Sequence, residues 1–223
     1  MSSLTVSFAE GGVCDNRGMI SLRSKLIWTL VAVAAALVGF WLARELHSTG
    51  PQLASGTWLS PARQIGEFSL TNEAGQPLTR ANLQGRPSVV FFGFTHCPDV
   101  CPTTLAMLAQ VNKEARVAGL HTLLITVDPA RDTPEVLEKY VHAFDRNFSG
   151  ATGSPAAIER LAKDFSVAVR RVDLPGGDYT MDHSAAVFLL DDRARLVAVF
   201  TPPFDAQRIA ADLRLAAPRL KSR

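Results

Sequence analysis

The sequence predicts an α/β domain with a mixed, partly parallel sheet, preceded by one transmembrane helix. Three observations predict it. Apolar strand-like runs alternate with segments of helical periodicity from about residue 68 onward, as in βαβ units. Two late apolar runs, Ala185 to Leu190 and Leu196 to Thr201, flank Asp191-Asp192-Arg193-Ala194 and close as a terminal hairpin. An uncharged apolar stretch of 18 residues, Leu26 to Ala43, stands near the N-terminus.

That stretch spans about 27 Å as a helix, enough to cross the hydrocarbon core. Trp28 and Trp41 sit near its ends, where interfacial aromatics sit. Arg17, Arg23 and Lys25 precede it, against Arg44 and Glu45 after it. The positive-inside rule puts the N-terminus in the cytoplasm and the rest outside. A cleaved signal peptide would have a shorter apolar core ending in a small-x-small site, but this run ends in Phe40-Trp41-Leu42. Residues 1–18 carry Glu10 and Asp15 and little arginine, unlike a mitochondrial presequence. Met19 is itself a plausible start, and Cys14 would lie across the membrane from the other cysteines. The expected layout is a cytoplasmic segment over 1–25, an anchor over 26–43, a linker over 44–64 and one domain over 65–223.

In the domain, Phe68 to Thr71 reads as a short strand, followed by a turn at Asn72 to Gln76. Val89 to Phe94 reads as a buried strand that breaks into a loop holding Cys97. A helix is expected from about Pro102 to Ala118, with Leu105, Leu108 and Val111 on one face and Gly119 ending it. Leu120 to Val127 is a second apolar strand. Thr133-Pro134-Glu135 and Ser154-Pro155 are helix starts, with a cap followed by proline. The first of these helices is expected to reach about Phe148 and the second about Phe165. Ser166 to Val172 alternates as a strand, Leu174 to Asp182 reads as a loop, and a last helix runs from about Asp205 to Ala217. Strand, cysteine loop, helix, strand, helix, hairpin, helix is the order of a thioredoxin-like fold. The site then falls at the carboxyl end of the first parallel strand.

Composition narrows the function classes. There are 23 Lys and Arg against 21 Asp and Glu, a formal net charge of +2, with no basic stripe. Nothing points to a nucleic-acid binder, and three cysteines are too few for a disulfide scaffold. Cys97 and Cys101 stand at a helix N-terminus, whose dipole favours thiolate over thiol. They have three residues between them, one more than the Cys-x-x-Cys spacing of dithiol exchange, and this leaves room for an ion between the sulfurs. Five histidines are available as a third ligand. His47, His121 and His142 read as solvated or capping residues, and His96 as an outer neighbour of Cys97. His183 stands immediately before the Ala185 strand, where a thioredoxin-like fold normally carries a cis-proline beside the cysteine loop. Here Ser184-Ala185-Ala186 supply no proline.

Three motifs carry a resemblance. Phe92-Gly93-Phe94-Thr95-His96-Cys97-Pro98-Asp99-Val100-Cys101-Pro102-Thr103-Thr104, then Val127-Asp128-Pro129-Ala130-Arg131-Asp132-Thr133-Pro134, then Asp182-His183-Ser184 resemble the Sco/SenC family over about residue 60 to the end. The family consists of membrane-anchored, thioredoxin-like copper proteins that help assemble cytochrome c oxidase. The resemblance implies that Cys97, Cys101 and His183 bind one copper ion. It also implies that the acceptor is the binuclear copper site of oxidase subunit II. Two thiolates and an imidazole suit Cu(I), and hold Cu(II) when a further ligand joins; zinc is the chemical competitor. Asp128 and Asp182 are candidates for an extra oxygen ligand or for orienting His183. Arg131-Asp132-Thr133-Pro134 is accounted for by helix capping.

Three functions follow. One is a copper chaperone of a bacterial inner membrane, its domain in the periplasm, working with other periplasmic copper chaperones or thiol reductants. The second is a thiol–disulfide oxidoreductase in which Cys97 and Cys101 reduce the acceptor's cysteines. The third, a peroxiredoxin-like peroxidase, leaves His183 unexplained.

Overall fold

The structure, a computed structural model, describes residues 22–46 and 50–221. The sequence expectations for Cys14, Met19 and His47 lie outside the described residues. The chain divides into two units, the first ending at Ser48 and the second beginning at Thr49.

The first unit contains helix α1, Leu22–Leu46. Its segment Ser24–Ala43, 20 residues, is long and apolar enough to cross a membrane, and from Lys25 to Ala43 its side chains are exposed. It starts two residues before the expected anchor and ends with it.

The second unit is built on one eight-stranded sheet. Its strands are β1 (Gly56–Gln64), β2 (Ser69–Asn72), β3 (Pro77–Thr79), β4 (Ser88–Gly93), β5 (His121–Thr126) and β6 (Phe148–Thr152). A separate pair follows, β7 (Val169–Asp173) and β8 (Tyr179–His183), then β9 (Val187–Leu190) and β10 (Arg195–Phe200). The order across the large sheet is β1-β10-β9-β4-β5-β6-β2-β3. β4, β5 and β6 are parallel neighbours, while β9 runs antiparallel to β4. Every residue of β4 and β5 is buried, as parallel strands covered on both faces require. The helices are α2 (Val100–Ala115), α3 (Pro134–His142), α4 (Pro155–Asp164) and α5 (Ala206–Ala216). Phe92 turns to the α4 side, where it meets Phe165 edge-on at 5.3 Å. The alternation of a strand then sends Gly93 to the α2 side.

The caps of α3 and α4 are as expected, and α5 is capped in the same way. Thr133, Ser154 and Asp205 accept from the backbone N–H three residues on. Four elements differ from expectation. Strand β1 lies in the segment read as linker; Gly56 and Pro61 interrupt its pattern, and it tolerates them as an edge strand with an irregular register between Trp58 and Arg63. Helix α2 begins two residues earlier than expected and ends at Ala115, closed by Arg116 in the left-handed region at φ 50°, while Gly119, at φ 75°, lies in the turn beyond it. Pro102 is thereby its third residue, still within the first turn, whose N–H groups have no partner in the helix. Helix α3 ends at His142, and β6 occupies Phe148–Thr152. β6 is the central-sheet strand with small residues: a Cβ on Gly150 would stand 2.9 Å from Leu137 Cβ, so α3 packs directly on its backbone. Finally, the loop expected over Leu174 to Asp182 is largely the β7–β8 hairpin, paired from Val169 with His183 to Asp173 with Tyr179.

Candidate metal centre

The cysteines stand where β4 hands over to α2. Gly93 ends the strand, and Cys97 N–H donates to Phe94 O at 3.4 Å, folding the chain back toward the helix. Cys101 lies in the first turn of α2, and its backbone N–H donates to Cys97 Sγ at 3.4 Å. Both cysteines are free thiols and buried, Cys97 8% and Cys101 0% exposed. The space for the second sulfur is made by Gly93: a Cβ there would stand 3.2 Å from Cys101 Sγ and 2.8 Å from Phe91.

His183 ends β8 and faces this pair. Its Nε2 lies 3.5 Å from Cys101 Sγ, and its Nδ1 lies 3.3 Å from Ser184 O. A carbonyl only accepts, so Nδ1 carries the proton and Nε2 turns a lone pair to the sulfur. The rings of Phe91 and Phe94 stand edge-on to the imidazole at 6.1 and 5.9 Å. Burial is the main cause holding the His183 pKa below the ordinary imidazole value. Cys101 departs from what its place at the helix start predicts. Burial, then the contact with Cys97, push its thiol well up, so desolvation outweighs the helix dipole. A protonated Cys101 beside an imidazole lone pair is a self-consistent resting arrangement.

The structure therefore brings Cys97 next to Cys101, and Cys101 next to His183. These are pairwise contacts, and among the described residues no three His, Cys, Asp or Glu groups stand gathered as a finished metal site.

The acidic candidates are engaged elsewhere. Asp128 accepts from Arg131 Nε through one oxygen and from Tyr179 OH at 2.8 Å through the other. Arg131 and Arg171 lie over the Tyr179 ring, each 3.8 Å from its centroid. Arg131 Nη1 also donates to Tyr179 O at 3.1 Å. Asp128 thus ties the far end of the β7–β8 hairpin, which ends in His183, to the turn after β5. Asp182 is exposed and pairs with Arg170 at 2.9 Å. His121, read as solvated or capping, is buried at the start of β5, the opposite end from the cysteines.

Asp132 is the residue that capping alone does not explain. Its carboxylate is fully buried. It accepts from Thr95 N–H at 3.1 Å, from the Thr95 hydroxyl and from the Thr126 hydroxyl. It thereby fixes the start of the cysteine loop to the end of β5. The sequence held a signal for this: Thr133 already supplies the cap of α3, which leaves Asp132 free for another task.

A thioredoxin-like domain that sets a reduced cysteine pair against a histidine at its strand ends is the class these features define. Residues 58–217 match the SCO1/SenC family, so the chain belongs to the SCO1/SenC family. It is 33% identical over 205 residues to the mitochondrial SCO2 homolog of Bos taurus, covering 86% of this chain and 75% of that one. It is 34% identical over 189 residues to the mitochondrial SCO1 homolog 1 of Arabidopsis thaliana, covering 81% of this chain but only 57% of the relative's length. Among solved structures it resembles copper-bound ScoI of Bradyrhizobium japonicum, with 39% identity and a TM-score of 0.62 over 67% of this chain and 97% of that one. It also resembles copper-bound ScoI of Arabidopsis thaliana, with 31% identity and a TM-score of 0.66 over 70% and 99%.

Proposed function

We propose that this chain is a membrane-anchored copper chaperone that carries one copper ion on Cys97, Cys101 and His183 and assists assembly of the binuclear copper site of cytochrome c oxidase subunit II. In this reading α1 holds the protein in a bacterial inner membrane, with the N-terminus cytoplasmic and the copper-carrying domain in the periplasm. The observation that carries the reading is the 3.5 Å approach of His183 Nε2 to Cys101 Sγ, with Cys97 Sγ 3.4 Å from the Cys101 backbone N–H. Sulfur and nitrogen bound to one ion at about 2.3 and 2.0 Å stand about 3.5–3.7 Å apart at tetrahedral to trigonal angles, so this pair already has the spacing of two ligands. Cys97 sits on a loop and can close the set by turning its side chain. The copper-bound structures of family relatives support copper as the cargo. Two thiolates and an imidazole favour the soft Cu(I) ion.

Copper loading is linked to thiol chemistry, because both cysteines must be reduced and deprotonated to hold the ion. The contact between the cysteines supports thiol–disulfide exchange as a second reading. There the pair would pass two electrons and two protons to an acceptor disulfide and become a disulfide itself. The test is Cu(I) titration of the reduced full chain in detergent. Wild type is expected to bind one copper, and Cys97→Ser, Cys101→Ser and His183→Ala to lose stoichiometric binding. His183→Ala should still exchange disulfides. Unchanged copper affinity in His183→Ala would sink the three-ligand site.

A further inference from the structure

The two sulfurs assigned to the resident copper are withdrawn from water and His183 is half-buried, whereas an ion handed over by ligand exchange needs a first foothold outside. His96 supplies one. Its side chain is 52% exposed and immediately precedes Cys97. Its Nδ1 lies 3.1 Å from Thr95 Oγ1 and 3.9 Å from Asp132 Oδ1. The Thr95 hydroxyl has one hydrogen, and that hydrogen goes to the Asp132 carboxylate. Thr95 Oγ1 therefore accepts from His96, so Nδ1 holds the proton and the lone pair of the neutral ring is on Nε2. Nδ1 is tied inward to a hydroxyl backed by a fully buried carboxylate. This is the outer-shell arrangement that fixes the tautomer and orientation of metal-binding histidines. The capping of α3 does not require it.

We propose that His96 is a transit ligand for Cu(I), presented by the Asp132–Thr95 pair, which takes the ion first and passes it inward to the cysteines. The inference rests on the copper reading above. As the Cu–Nε2 bond forms, a bond from copper to a ligand of the delivering molecule breaks. As copper moves inward, Cu–S bonds to Cys97 and Cys101 and a Cu–N bond to His183 form, each thiol gives its proton to water, and the bonds from copper to His96 Nε2 and to any remaining ligand of the delivering molecule break. Copper stays Cu(I) and no electron moves.

The test is stopped-flow transfer of Cu(I) from a coloured bicinchoninate complex to the reduced full chain in detergent, with the equilibrium constant measured on the same samples. In His96→Ala the transfer rate is expected to fall about tenfold further than the equilibrium constant does, the scale on which support for a metal ligand acts. Thr95→Ser keeps the hydroxyl and should transfer copper like wild type, whereas Thr95→Val should fall toward His96→Ala. An unchanged rate in His96→Ala overturns the proposal. So does an equal loss in rate and affinity, which would make His96 a resident ligand. A Thr95→Val protein as fast as wild type overturns the presenting role of the Asp132–Thr95 pair. Failure of the copper reading is distinct, because it appears in stoichiometry: His183→Ala would bind copper as well as wild type, and the transit role would fall with it.

Discussion

His121 makes the acid stability of the domain calculable. The imidazole is 5% exposed, with Nε2 2.9 Å from Ser149 Oγ and Nδ1 buried without a partner. Burial, and then the positive charge of Arg86, lower its pKa from 6.5 to about 4. In the unfolded chain the ring takes its proton near pH 6.5, while in the folded chain it resists until about pH 4. Between those values the unfolded state binds more protons, so stability rises with pH across the window and is lost as the pH falls through it. At about 1.4 kcal/mol per pH unit across that gap, the loss from pH 7 to pH 4 is about 3 kcal/mol. With a urea slope of about 1–3 kcal/mol per molar, that moves the unfolding midpoint by about 1–3 M. The assay is urea unfolding of wild type and His121→Gln from pH 7.5 to pH 4. Carboxylates that titrate in both proteins cancel in the difference, so wild type should lose about 3 kcal/mol more than the variant. Parallel curves for the two proteins would refute the assignment of a buried neutral imidazole.

Three further outcomes are expected. Asp132→Ala leaves Thr95 N–H and the Thr126 hydroxyl without their acceptor, at about 1–3 kcal/mol each, so urea unfolding should show a loss of about 2–6 kcal/mol. A loss below about 1 kcal/mol would mean that the cysteine loop is not held there. Gly93→Ala crowds Cys101 Sγ and Phe91 and should cost about 1–3 kcal/mol in urea unfolding while lowering copper stoichiometry. Asp212 accepts from Ala54 N–H and Ser55 N–H, both at 2.8 Å, and from Ser55 Oγ at 2.7 Å. Asp212→Ala should therefore speed amide exchange in β1 well beyond that in β4.

The parts of the fold legible in the sequence are those whose residues bury large side chains at regular spacing. β4 and β5 are unbroken apolar runs, and α2 repeats Leu105, Leu108 and Val111 toward the core. β6 was hidden because a strand packed against Leu137 must be small there, and Gly150-Ala151 carries no strand pattern. β7 shows in the alternation of Ser166 to Val172, whereas β8, half-exposed and paired only with β7, is masked by the turn signal of Pro175-Gly176-Gly177. The candidate ligands were legible from chemistry, since Cys97, Cys101 and His183 are the soft groups that the chain order brings to one end of the sheet. The raised Cys101 thiol was not. A helix start is visible in sequence, but the depth at which it is buried is a property of the folded sheet. Asp132 was hidden for a similar reason, because a carboxylate beside a cap looks solvated until Thr95 and Thr126 close over it.

Gly93 has a mechanical consequence. The sulfur of Cys101 occupies the place a side chain at position 93 would need, with Phe91 and Leu124 beside the same space. Its Cα is fixed in the first turn of a sixteen-residue helix. The sheet and that helix thus make Cys101 the fixed jaw of a clamp. Cys97, on its loop, and His183, at the end of a hairpin outside the main sheet, are the moving jaws. Under the proposed copper reading, gripping and release of the ion would fall to those two residues while the core stays rigid.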